Sequence, residues 1–405
     1  MTSTSTPAVE TFPPSKRGRP VGWLPGIEAL RGIAAGTVVL HHAWSLSYRP
    51  QFPGYWLIEG FGSFGVNLFF LLSGYLLCDY FWRAPERRSL RQYGLRRFFR
   101  IGPAYYVNII ILFVFFAQHD QLFSWFGVRQ VLANLTFTQY LFPATASSLN
   151  VNGALWTLTA EFFLYLTLPV MALLFARAPL LVFTALVSLG VAWRSYIVLG
   201  GDTIRGLYFG SGGPDEAIQS LYLSRQFIGL VPIFALGIGL KWLVTTGRLE
   251  RVRRWLPQRM SVPALVLALA PAMATLYWVE AASTTANGVW FVSFDYVMAL
   301  LLCPALLLAA QPSWRPASPL AHASTWLGDR SYSLYLWHFP IILSVYGRGS
   351  TLAEPQITHV WIQLALVGVL SVLFAHVSYE MVERPGQDWG RRLAARVRRE
   401  GRSGG

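Results

Sequence analysis

The sequence predicts an all-α integral membrane protein, a bundle of about ten transmembrane helices with both termini in the cytosol. Three observations carry that prediction. Hydrophobic residues make up 54% of the chain against 13% charged, with a mean hydropathy of +0.42, whereas soluble domains carry about a quarter charged residues. The charges are bunched, leaving apolar stretches near the roughly 20 residues that cross a bilayer. An aromatic share of 15% suits belts of Trp and Tyr at two interfaces.

Taken in order, residues 1–22 are rich in Ser, Thr and Pro, carry Lys16, Arg17 and Arg19, and read as a disordered cytosolic tail. The expected spans are 26–46, 61–81, 101–118, 155–175, 179–199, 223–242, 262–279, 290–310, 331–346 and 360–382. Together they form a transmembrane domain over 23–386, followed by a basic cytosolic tail at 387–405. The first span holds Glu28, Arg31, His41 and His42, too polar for a cleavable signal segment. Basic residues concentrate at 82–100, at 241–260 and after Arg384, while the alternate loops hold few, such as Arg49, Arg129, Arg205 and Arg348. That asymmetry orients a membrane protein with the basic loops in the cytosol, and an odd number of spans would destroy it. The loops at 119–154 and 200–222 then face outward and suit recognition of an acceptor.

The net charge of +14 follows the same loops, so nucleic-acid binding is excluded. Cys78 and Cys303 both fall in apolar runs and support neither a disulfide framework nor a metal site; no metal is expected. The run Gly210-Ser211-Gly212-Gly213 follows no strand and reads as a plain turn, not a phosphate cradle.

Ionisable groups inside the apolar spans are the informative residues, because each costs about 2.5–3.5 kcal/mol on insertion scales. Arg31 and His42 lie eleven residues apart, within about 20° of one helix face and about 16 Å apart along the axis. One face thus offers a cation at the cytosolic mouth and a titratable base deeper in. His41 points elsewhere and reads as a packing residue, as does His376. Glu161 enters from outside to a depth like that of His42, and His338 sits near mid-membrane. Arg97 and Arg100 are one turn apart and can present two guanidinium groups to one anion. A phosphate-bearing cofactor arriving from the cytosol would meet Arg97, Arg100 and then Arg31, with Ser73 at the same mouth.

With these residues in view, the chain resembles the acyltransferase 3 family, membrane acyltransferases that modify sugars and related hydroxyl compounds. The family's Arg and His, ten residues between them, match Arg31 and His42, and its Phe-Phe-x-x-Ser-Gly matches Phe69 to Gly74. Its Arg-x-x-Arg and following Pro-x-Tyr match Arg97, Arg100, Pro103 and Tyr105. Its Trp-Ser/Thr-Leu-x-x-Glu motif matches Trp156 to Glu161, although Leu164 replaces a usual Phe. Its Ser-Tyr-x-x-Tyr-Leu-x-His matches Ser331 to His338, and its late Glu-x-Pro matches Glu383 and Pro385. Asn67 stands where many members have Asp or His, a departure that bears on acceptor preference.

The resemblance implies an acyl-CoA donor bound at Arg97, Arg100, Arg31 and Ser73, with its pantetheine arm reaching toward His42. His42 is then expected to act as general base on an acceptor hydroxyl, with Glu161 orienting or charging its imidazole. A covalent acyl-His42 intermediate is the less favoured variant. His338 is expected to polarise the thioester or protonate the leaving thiolate, and Ser73 to pack beside Gly74 rather than act as nucleophile. The implied acceptor is a glycan, glycolipid or glycosylated metabolite, met at the plasma membrane among membrane lipid. The rival reading is a proton-coupled exporter of a sugar-containing small molecule, which would also bury Arg, His and Glu.

Overall fold

The computed structural model describes residues 24–47, 49, 52–82, 89–116, 123–146, 152–210, 213–255, 262–282, 288–311, 318–347 and 359–403. The N-terminal tail, the basic run 83–88 and Ser211–Gly212 lie outside the described residues. Among those described, every regular element is helical. The principal helices are α1 (Pro25–Ser45), α2 (Tyr55–Leu77), α3 (Leu90–Phe115), α4 (Trp125–Leu135), α5 (Trp156–Arg177), α6 (Pro179–Gly200), α7 (Asp202–Phe209) and α8 (Glu216–Ser224). They continue with α9 (Phe227–Thr245), α10 (Val262–Ala282), α11 (Gly288–Ala309), α12 (Pro319–Asp329), α13 (Ser331–Val345), α14 (Val360–Ser378) and α15 (Arg384–Ser403).

The start signals are local. Pro25, Pro179 and Pro319 occupy first-turn positions where a missing N–H costs nothing. The side chains of Ser89, Ser124, Asp215 and Ser318 cap α3, α4, α8 and α12 by accepting an otherwise unpaired backbone N–H.

Each of the ten expected spans falls largely on helix, and among the described residues seven helices are long and apolar enough to cross a membrane. Of the rest, α1 carries Glu28, Arg31 and two histidines, and α13 has 15 residues, while α10 is the 21-residue helix Val262–Ala282. The described parts of the expected outer loops contain the helices α4, α7 and α8. The basic C-terminal segment is helical too, and α15 packs on α3, with Gly386 and Gly390 against Pro103 and Phe99.

The core runs through α1, α2, α5, α9 and α11. Helices in lipid gain little from burying apolar area against each other, so close packing of small residues matters more. Gly74 of α2 and Gly237 of α9 show this reciprocally: a Cβ on either would overlap the other helix's backbone. Gly32 and Gly328 do the same between α1 and α12. α1 and α13 run in the same sense, since Arg31 and Ser331 near their starts line one cavity and Tyr346, just past the end of α13, donates to the Ala43 carbonyl near the end of α1 at 2.6 Å. The bundle thus has a basic end, where α1 and α13 begin, and a far end, where they finish beside the α4, α7 and α8 segment.

Gly74→Val should therefore lower the thermal midpoint of the detergent-solubilised protein, overpacking costing about 1–3 kcal/mol. Ser73→Ala next to it should leave that midpoint in place. Equal midpoints for both variants would contradict the helix crossing described.

Candidate active site

Five elements converge on a cavity of about 120 Å³ at the basic end. Arg31 from α1, Ser73 from α2, Arg97 and Arg100 from α3, Glu161 from α5 and Ser331 from α13 all line it. The sequence-predicted cytosolic-mouth residues are thus brought together. Three donors here are buried without a partner: Arg97 Nε, Arg100 Nη2 and Ser331 Oγ. Unpaired buried donors are costly, and a cluster of them beside three guanidinium groups is a receptor for phosphate or carbonyl oxygen.

Arg100 is held by Glu383, with Nη1 2.9 Å from a carboxylate oxygen. Glu383 is 1% exposed. It also accepts hydrogen bonds from Ser333 Oγ at 2.7 Å and Gln387 at 2.9 Å. It lies on a π-helical turn, Tyr379–Glu383, where α14 passes into α15. Such turns re-aim one side chain within a continuous helix. Glu161 sits across the cavity within electrostatic range of Arg31, Arg97 and Arg100, and accepts a hydrogen bond from Tyr165.

The two histidines meet elsewhere, toward the far end. His338 is fully buried, and its Nδ1 lies 2.8 Å from the Tyr335 carbonyl oxygen. A carbonyl only accepts, so that nitrogen carries the proton, and in the neutral ring Nε2 is an acceptor. His42 Nδ1 stands 3.0 Å from that Nε2 and is therefore the donor. The relay leaves His42 Nε2 with a free lone pair. Phe339 packs edge-on against the His42 ring, centroids 5.5 Å apart.

This pairing changes two expectations. Glu161 does not orient His42; it faces Tyr165 and the arginines, while His338 does the orienting. His338 has both ring nitrogens engaged, so it positions its neighbour instead of meeting a thioester. The α1 face was expected to put Arg31 and His42 on one cavity; Arg31 lines it and His42 does not. Between them lies an apolar plug of Val38, Ala154 and Tyr335, with Val66 and Phe339 against it. The Tyr335 hydroxyl is fixed there, donating to the Ala154 carbonyl and accepting from Thr157 Oγ1 at 2.7 Å.

The packing histidines behave as expected: His41 bonds the Ile58 carbonyl at 3.2 Å, and His376 accepts from Arg330 Nε at 3.0 Å. Cys78 and Cys303 are buried and free. Sequence reading missed three charged groups. The buried Arg194 and the half-buried Asp295 form an ion pair at 2.8 Å, joined by the Asn67 amide at 2.9 Å. Arg225 lies over the Trp156 ring at 4.9 Å and within electrostatic range of both His42 and Asp295. The signals were present: two charges within apolar runs, and an arginine at the outer end of a span, against the usual charge bias.

A polytopic bundle that keeps a guanidinium cluster, two carboxylates and an imidazole relay inside its apolar core is a membrane protein built for intramembrane chemistry. The chain belongs to the acyltransferase 3 family, whose acyltransferase domain matches residues 24–380. Its relatives include the peptidoglycan O-acetyltransferase OatA of Listeria monocytogenes, 26% identical over 90% of this chain and 56% of that protein. Another is the O-acetyltransferase OatA of Staphylococcus aureus, 24% identical over 90% of this chain and 57% of that protein. The chain thus spans little more than half the length of these relatives. No solved structure matches it.

Breaking the Arg100–Glu383 pair should leave one buried charge uncompensated. Glu383→Gln is expected to cost about 3 kcal/mol, seen as a lower thermal midpoint, and Arg100→Gln added to it should restore most of the loss. A midpoint unchanged by Glu383→Gln would show that the pair does not hold α3 to the π-helical turn.

Proposed function

We propose that the protein is a membrane O-acyltransferase that moves an acyl group from cytosolic acyl-CoA to a hydroxyl of a carbohydrate-containing acceptor. The single observation carrying this reading is the His42–His338–Tyr335 relay, which leaves one imidazole lone pair free in the core of an acyltransferase-family bundle. The relatives' names as O-acetyltransferases favour acetyl as the group and a glycan as the acceptor.

The donor enters at the basic end. Arg31, Arg97 and Arg100 would hold its phosphates or thioester oxygen, with the orphaned Ser331 hydroxyl and Ser73 beside them. At about 120 Å³ the cavity suits the slender acyl-bearing arm, while the bulkier nucleotide stays at the mouth. Glu161 keeps the guanidinium groups facing inward instead of out toward lipid phosphate.

The acceptor arrives from the far end. His42 Nε2 removes the hydroxyl proton as the oxygen attacks the thioester carbonyl carbon. The charge formed on His42 is stabilised through its Nδ1–H by His338 and the Tyr335 carbonyl, the base-plus-orienter arrangement of acyl-transfer sites. Collapse of the tetrahedral intermediate expels the thiolate, which takes the proton from His42, giving ester and free CoA. Because the apolar plug separates the arginine cavity from His42, transfer requires Tyr335 and Phe69 to part when both substrates are present.

This reading carries with it ten spans, both termini in the cytosol and a plasma-membrane location. The uneven distribution of Lys and Arg supports that orientation.

His42→Ala should abolish acceptor-dependent release of CoA from acetyl-CoA by the purified, correctly inserted protein. His338→Gln should reduce kcat by about a hundredfold or more with little change in KM for acetyl-CoA, as expected for loss of a general base's support. Full activity of His42→Ala would remove the mechanism, and an unchanged kcat in His338→Gln would remove the relay.

A further inference from the structure

The far end of the bundle holds a second, larger cleft of about 700 Å³, inside the roughly 300–1,000 Å³ range of small-molecule sites. Its walls come from α4, α7, α8 and the turn that leads into α5. Among its described lining residues none is charged. This sets it apart from the opposite cavity, where three arginines and a glutamate gather.

The lining combines two kinds of surface. Tyr140, Trp156 and Tyr208 offer aromatic faces, and Gln130, Asn134 and Gln139 offer amides. Gln139 is the informative one. It is 5% exposed, its amide nitrogen donates to the Leu155 carbonyl at 3.1 Å, and its Oε1 is buried with no partner. An orphaned acceptor in a cleft calls for a donor from outside the protein, since leaving it unmet is costly.

The floor of the cleft reaches the imidazole relay. Gly153 presses its backbone on Phe339, where a Cβ would come within 2.9 Å of the ring, and Phe339 is the ring that packs on His42. The Trp156 ring that lines the cleft also carries Arg225, the cation within electrostatic range of His42.

We propose that this cleft binds an uncharged saccharide segment of the acceptor, its C–H faces stacked on Trp156 and Tyr208 and a hydroxyl donating to Gln139 Oε1. Aromatic faces accept the electropositive C–H edge of a pyranose ring. Amides meet hydroxyls without fixing a charge. An anionic sugar would lose its hydration here and find no charged group among the described lining residues, the neighbouring Arg225 being engaged behind them with Trp156 and Tyr140, which disfavours it. The inference rests on the acyltransferase reading for what happens to the hydroxyl, but not for the binding itself.

Binding can be tested on the full wild-type chain in phosphatidylcholine nanodiscs without any acyl donor. The calorimetric probes are three uncharged oligosaccharides (chitotetraose, cellotetraose and maltotetraose) and the anionic tetragalacturonate. At least one uncharged probe should bind saturably, and tetragalacturonate should bind at least tenfold more weakly. Trp156→Ala and Tyr208→Ala should each weaken the uncharged probe about tenfold. Tyr208 lies on the short α7 and packs on a small cluster of Ile197, Tyr222 and Leu223 outside the main core, so its variant covers a Trp156→Ala protein that fails to fold. Tetragalacturonate binding as tightly as the best uncharged probe would overturn the proposal. So would no uncharged binding, or affinity unchanged in the properly folded cleft variants. Saccharide binding without acceptor-dependent CoA release would instead count against the acyltransferase reading and leave the cleft assignment standing.

Discussion

Glu383 is a carboxylate with almost no exposure, in a bundle whose surroundings offer it no water. Everything near the basic end is arranged to satisfy it. Arg100 on α3, Ser333 on α13 and Gln387 on α15 each send a hydrogen bond to its two oxygens. Apart from the Tyr332–Ile101 and Asn108–Leu336 hydrogen bonds between α3 and α13, contacts among these helices are mainly apolar or through small residues, and such contacts tolerate sliding. A buried ion pair adds little net stability but does not tolerate separation, so it acts as a register pin. Pinning α13 by Ser333 also sets the height of Tyr335 and His338, and through them of the imidazole on α1. The geometry of the base is thus determined more than a turn away along a short helix.

The same logic separates structural from functional charge. Arg330 with Glu380 has found its partner, and Arg194 pairs with Asp295 through Nη2 while its Nε stays unpartnered; each pair ties neighbouring helices. Arg97, Arg100 and Ser331 keep donors in reserve, and they all do so in one place. In a medium where every unpaired polar atom is expensive, a concentration of them marks where a ligand completes the protein. Gln139 repeats the pattern at the far end with an acceptor instead of donors.

Much of this was legible in the sequence. Helical periodicity placed Arg31 and His42 on one face, and the one-turn spacing of Arg97 and Arg100 foretold a shared cavity. Hydropathy alone placed a span on each of the helices long and apolar enough to cross a membrane among the described residues. The partner of His42 was not legible in this way. Glu161 and His338 sit at compatible depths on different helices, and depth arithmetic cannot say which of two helices turns toward α1. That choice is made by helix packing at glycines such as Gly32 and Gly328, where the close approach of α12 to α1 sets the rotation of α13. Asp295 and Arg194 were visible as charges inside apolar runs, yet neither sits in a recognisable pattern. The helices of the outer segments were hidden because short, Gly-, Asn- and Pro-containing stretches take helical form only when packed against the bundle.

The plug of Val38, Ala154 and Tyr335 gives the two halves of the site their meaning. On the proposed reading, transfer across a bilayer needs donor and acceptor to meet without opening a continuous water path, which would leak protons and hydrolyse an activated acyl group. Apolar side chains alone would close such a path but would hold no fixed position. Tyr335 supplies both properties, presenting its ring to the plug while its hydroxyl is locked between Ala154 and Thr157. Its backbone carbonyl meanwhile sets the tautomer of His338. Under the proposed mechanism one residue would seal the passage with its side chain and orient the base with its main chain, so a shift of Tyr335 large enough to admit substrate would also act on the relay that deprotonates it.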